Sequence, residues 1–133
     1  MGAVRVNIGL TNAIDAKLAN RGLLNPKLVR VYETQALVDT GASHLVIPGD
    51  VVQVLGLKIK GQQIAALADG RQEKLGLTEP INIELLGLKT VETALVAGDE
   101  VLINQTVLET LALLVDCQNE CLITTSGNSE RSR

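Results

Sequence analysis

Apolar and polar side chains alternate along Val4-Arg5-Val6-Asn7-Ile8-Gly9-Leu10, the period expected of a half-buried strand. The alternation stops at Thr11-Asn12, either of which can cap a short helix over residues 13–21 that Gly22 would end. Pro26 closes this excursion, and residues 27–38 read as one or two further strands with Val29, Val31, Leu37 and Val38 at apolar positions. Leu45-Val46-Ile47 is a short apolar strand ended by Pro48-Gly49. Asp50 can then cap a helix from Val51 to Leu55, with Gly56 as its stop.

Turns punctuate the second half of the chain. Asp69-Gly70 is a strong hairpin signal between residues 60–67 and 71–77, and Leu86-Gly87 marks another between 81–85 and 91–96. Val101-Leu102-Ile103 forms a short strand, residues 106–110 a short helix, and residues 111–115 and 121–124 a last hairpin around Gln118-Asn119. Many short strands separated by turns predict a mostly β domain over residues 1–125. The polar tail, 126–133, is expected to be disordered.

Composition narrows the function. Tyr32 is the only aromatic residue, so the core must be aliphatic, and the stacking platforms of single-stranded nucleic-acid binders are missing. A net charge of −3 with scattered Lys and Arg argues against nucleic acid or an anionic membrane as partner. The first residues lack the apolar run of a signal peptide, and no apolar run approaches membrane-spanning length, so a cytoplasmic location is expected. Cys117 and Cys121 are spaced C-x3-C, and His44 is the only histidine, which leaves a zinc site short of ligands. A single histidine also excludes most His-dependent nucleophile triads. Hydrolytic chemistry in this chain has to lean on carboxylates.

One segment carries such chemistry. In Ala36-Leu37-Val38-Asp39-Thr40-Gly41-Ala42-Ser43 a carboxylate ends an apolar strand and enters a tight turn. Burial at a strand end disfavours the charged form of a carboxylate. Gly41 would permit a backbone conformation closed to other residues or a close approach by another chain, and the Thr40 hydroxyl can brace the loop. A plain β-turn is the alternative, since Asp-Thr-Gly is also good turn chemistry.

The segment resembles the active-site signature of retropepsin-like aspartic proteases, the single-domain relatives of pepsin. Val46-Ile47-Pro48 with the helix up to Leu55-Gly56-Leu57 is similar to the stretch after the catalytic loop in bacterial members. Leu67-Ala68-Asp69-Gly70-Arg71 resembles their flap hairpin, Val101-Leu102-Ile103-Asn104 with Leu108-Glu109 their second signature, and Leu113-Leu114-Val115-Asp116 their closing strand. The resemblance spans roughly residues 31–124.

What the resemblance implies is specific. The fold would be a closed acid-protease barrel with one or two short helices, forming half of a two-fold homodimer. Asp39, Thr40 and Gly41 would be catalytic, with Thr40 bracing the paired loops. Ala42 and the hairpin tip, Leu67, Ala68, Asp69 and Gly70, would bind an extended peptide or protein substrate. No metal or other cofactor is implied. Asp39 belongs to the only Asp-Thr-Gly in the chain, and a two-fold axis would supply it twice. His44, on the strand beside the loop, reads as structural.

Two features depart from the pattern. Residues 11–26 exceed the usual loop after the first strand, and Asn104 stands where the family has glycine, close behind the catalytic loop. An Asn there could meet a requirement for positive φ or cap the following helix. It could also press on the loop and lower activity, which keeps a weak or inactive peptide-binding module as the alternative to an active endopeptidase.

Overall fold

The computed structural model describes residues 3–66 and 70–125. Strand β1, Arg5–Asn12, runs directly into helix α1, Ala13–Asn20. Asn12 makes this junction: its Oδ1 accepts from Asp15 N at 3.0 Å, and its Nδ2 donates to Leu55 O at 2.8 Å. A single 3-10 turn, Pro26–Leu28, precedes β2, Val31–Val38, which returns antiparallel to β1. Residues 27–38 therefore supply one strand.

Strand β3, Leu45–Ile47, leads into helix α2, Gly49–Leu55. The helix starts one residue before the expected cap. Pro48 occupies the N-cap, and Asp50 lies in the first turn, where its Oδ1 accepts from Val51 N. Strands β4, Ile59–Ala66, and β5, Gln72–Thr78, form the expected hairpin. Strands β6, Ile81–Leu85, and β7, Leu88–Glu92, form the next. The apolar run at 91–96 is divided, because after β7 the chain crosses to pair β8, Ala94–Val96, in parallel with β3. Strand β9, Leu102–Ile103, helix α3, Gln105–Thr110, and the hairpin of β10, Leu113–Asp116, with β11, Cys121–Thr124, complete the described chain.

The main sheet runs β4-β5-β8-β3-β9-β2-β1-β6-β7, and β10-β11 forms a second, smaller sheet. The β4 and β7 edges remain unpaired among the described residues, so the sheet is not closed into the expected barrel. On β4, Lys60, Gln62 and Ile64 are exposed, while Gln63 and Ala65 on the other face are half-buried. Three α-helices are present among the described residues, where one or two were expected.

The core is aliphatic, as the lack of aromatics required. Leu10, Ile47, Leu55, Ile81, Ile103 and Val107 are fully buried between the sheet and helices α2 and α3. Burying an aliphatic side chain of this size contributes about 1.5–3 kcal/mol. No helix among the described residues is long and apolar enough to cross a membrane. The predicted tail, 126–133, lies outside the described residues.

Candidate active site

The strands on either side of the Asp39 loop are not paired with each other. Strand β9 lies between them, parallel to β2 (Val38 opposite Ile103) and antiparallel to β3 (Val46 opposite Leu102). A chain passing from β2 to β3 must therefore arch over the end of β9. Residues 39–44 make that arch.

Backbone bonds hold its first limb. Leu37 N donates to Val101 O at 2.9 Å, Val38 N to Val4 O at 2.9 Å, and Asp39 N to Ile103 O at 2.8 Å. The crest closes on itself. Ala42 N donates to Asp39 O at 3.1 Å, and Gly41 N donates to the Asp39 carboxylate at 3.1 Å, the Asx-turn that Asp favours. Thr40 and Gly41 are exposed at the crest, while Asp39 and Ala42 are half-buried.

Two expectations change here. Asp39, expected to be buried at the strand end, is half-buried, beside the exposed Thr40 and Gly41. Gly41 has no positive φ, and a Cβ there would make only ordinary contact, 3.5 Å from the Asp39 carboxylate. Backbone strain does not explain this glycine within one chain.

The second limb of the arch rests on Asn104. This residue follows β9, is 4% exposed, and donates from Nδ2 to Ser43 O at 3.3 Å. Its backbone is extended, with φ −93° and ψ 173°, so positive φ is not needed. Asn104 stands at the N-cap of α3 but makes no side-chain cap bond, and its Oδ1 is buried without a partner. The sequence singled out this position, yet the bond to Ser43 has no sequence signal, because it depends on β9 sitting beneath the arch.

Asp39, Thr40, Gly41 and Ala42 thus share one loop. Gly70 stands apart at the end of the β4-β5 hairpin, exposed, with φ +89°, a conformation that disfavours side-chain-bearing residues. Leu67, Ala68 and Asp69, expected to bind substrate, lie outside the described residues. The hairpin base joins the site through the sheet: Leu77 of β5 pairs with Leu95 of β8, and β8 pairs with β3. Its half-buried face carries Gln63, Ala65, Leu75 and Leu77. His44 is half-buried with Nδ1 3.2 Å from Ser43 Oγ. Two surface grooves, of about 550 and 460 Å³, belong to other faces and include no residue of the arch.

The family model described as gag-polyprotein putative aspartyl protease matches residues 29–110, a span from the approach to β2 through to the end of α3. No curated protein matches the chain.

Proposed function

The chain belongs to the gag-polyprotein aspartyl protease family, and from that premise we propose that it is an aspartic endopeptidase whose catalytic pair is Asp39 from each of two identical chains. The observation that carries this reading is the Asp39 arch itself. It presents a half-buried carboxylate that accepts one hydrogen bond among the described residues, from Gly41 N, and keeps acceptor capacity for a proton or a water.

Peptide hydrolysis needs a base and an acid at once, and one carboxylate cannot be both. Three other aspartates are committed elsewhere: Asp15 is bound by Arg30, Asp50 lies in the first turn of α2, and Asp116 accepts from Asn119, and neither Asp69 nor Asp99 is followed by Thr-Gly or Ser-Gly. A two-fold axis through the crest of the arch brings Asp39 against its own copy. The ionised member then takes a proton from water, whose oxygen attacks the peptide carbonyl carbon, while the protonated member donates to the carbonyl oxygen. Collapse of the adduct breaks the C–N bond as a proton passes to the leaving nitrogen. The shared proton belongs to the pair, so activity is strongest at mildly acidic pH and declines as the last proton leaves.

In this dimer Thr40 braces the two arches across the axis, Ala42 flanks the peptide, and the hairpin ending at Gly70 closes over it, excluding water. The alternative, an inactive peptide-binding dimer, was favoured by Asn104. That residue is accommodated beneath the arch in ordinary backbone geometry, which weakens the case.

Cleavage of a peptide library by wild type and by Asp39→Asn, from acid to neutral pH, tests the proposal. Wild type cleaves and the folded variant does not. Equal cleavage by both, in pure protein, would remove Asp39 from the mechanism.

A further inference from the structure

We propose that Asn104 is a positioning residue: its amide holds the second limb of the Asp39 arch and so sets where the carboxylate sits. The kinetic half of this inference rests on Asp39 being the reacting group; the structural half does not.

The arch is fastened below by two successive residues. Ile103 O receives Asp39 N at its start, and Asn104 Nδ2 reaches Ser43 O near its end. Between these anchors the hydrogen bonds among the described residues are internal, from Gly41 N and Ala42 N to Asp39 itself. Removing the Asn104 amide takes away the hydrogen bond that fastens the second limb before β3 begins at Leu45. The orientation of the amide follows from chemistry, since only its NH2 can face the Ser43 carbonyl.

The side chain also forgoes an easier role. At an N-cap with extended backbone, Asn ordinarily accepts from an amide of the first helical turn and stabilises the helix. Here Oδ1 is instead buried and unpaired, an arrangement that costs stability. Capping would serve folding better. The observed geometry gives it up to point a donor at the loop that carries Asp39.

This predicts a separation of stability from turnover. Asn104→Gly removes both the donor and the orphaned oxygen. Asn104→Asp keeps the size but turns an acceptor toward the Ser43 carbonyl. Asn104→Gly should fold and melt close to wild type, whereas Asn104→Asp, which buries a carboxylate against a carbonyl, should melt lower. In both, backbone amide exchange at Gly41 and Ala42 rises about tenfold as the arch opens more often. In peptide cleavage kcat should fall about tenfold or more, with KM within about twofold, because a small misplacement acts on the reacting group and not on peptide binding.

Unchanged exchange in both variants, or turnover equal to or above wild type in Asn104→Gly, overturns the proposal. So does a joint loss of melting temperature, kcat and peptide affinity in Asn104→Gly, which is the mark of a general structural role. If wild type cleaves no peptide, the protease reading fails by itself, and the exchange measurement still decides whether Asn104 holds the arch.

Discussion

Strand β2 has a carboxylate at each end, and the two are treated in opposite ways. Before the strand, Asp15 receives Arg30 N and Nε on Oδ2, at 3.0 and 2.8 Å, and Arg30 Nη2 on Oδ1 at 3.0 Å. The Arg30 hydrogen bonds hold its pKa below the ordinary carboxylate value, against the opposing effect of burial. After the strand, Asp39 accepts from Gly41 N alone among the described residues. A carboxylate whose oxygens are engaged by a guanidinium ties elements together, whereas one with open lone pairs can still take another partner. The surroundings, not the residue type, tie one into the fold and leave the other with open acceptor sites, as the proposed chemistry needs.

The comparison also gives the long segment after β1 a purpose. Asn12 joins it to Leu55 O, and the Asp15-bound Arg30 guanidinium lies across Gly56, which ends α2 at φ +63°. The insertion is therefore stapled to the end of α2, with Arg30 as the clasp.

The largest effect should come at the open end. Asp39→Asn keeps shape and fold but lowers turnover on the order of 10²–10⁴-fold or more, measured with purified protein on a cleaved peptide. At the closed end the same substitution, Asp15→Asn, should leave kcat near wild type and lower the melting temperature by several degrees at pH 7, read by calorimetry.

The pH dependence has a definite sign. Because the folded-state pKa of Asp15 is lowered, its stabilisation is present above the unfolded value of about 3.9 and lost as pH falls through the folded value. The stability gap between wild type and Asp15→Asn should thus shrink below about pH 4. A gap constant down to pH 2 would mean that the ionised pair contributes nothing. Gly56→Ala should cost roughly 1–2 kcal/mol through its left-handed backbone and displace the Arg30 side chain. Combined with Asp15→Asn it should be less than additive in denaturant titrations, since both act on Arg30. The smallest effect is expected at the hairpin: Gly70→Val should weaken peptide turnover or affinity severalfold without dissociating the proposed dimer. Unchanged kinetics would put the hairpin away from the substrate.

Local rules made much of the fold legible. Alternation marked β1, Asn12 and Gly56 marked helix ends, and Asp69-Gly70 and Leu86-Gly87 marked hairpins. The Asp39 loop was legible because its tripeptide is contiguous. The placement of β9 between β2 and β3 was not, since two-residue strands pair by tertiary demand and carry no periodicity. Everything depending on that placement was hidden with it, including the Ile103 and Asn104 anchors. The open sheet was equally illegible: periodicity reports which face of a strand is buried, not whether its edge finds a partner.

The central claim is that each catalytic centre needs Asp39 from two chains, and subunit mixing tests it most directly. Wild type is allowed to exchange subunits with a ninefold excess of Asp39→Asn, and cleavage is measured per wild-type chain. Random pairing leaves about one wild-type chain in ten with a wild-type partner, so activity should fall to about a tenth. Activity that stays in proportion to the wild-type chains present, after exchange has been demonstrated, would show that one chain suffices and would contradict the account.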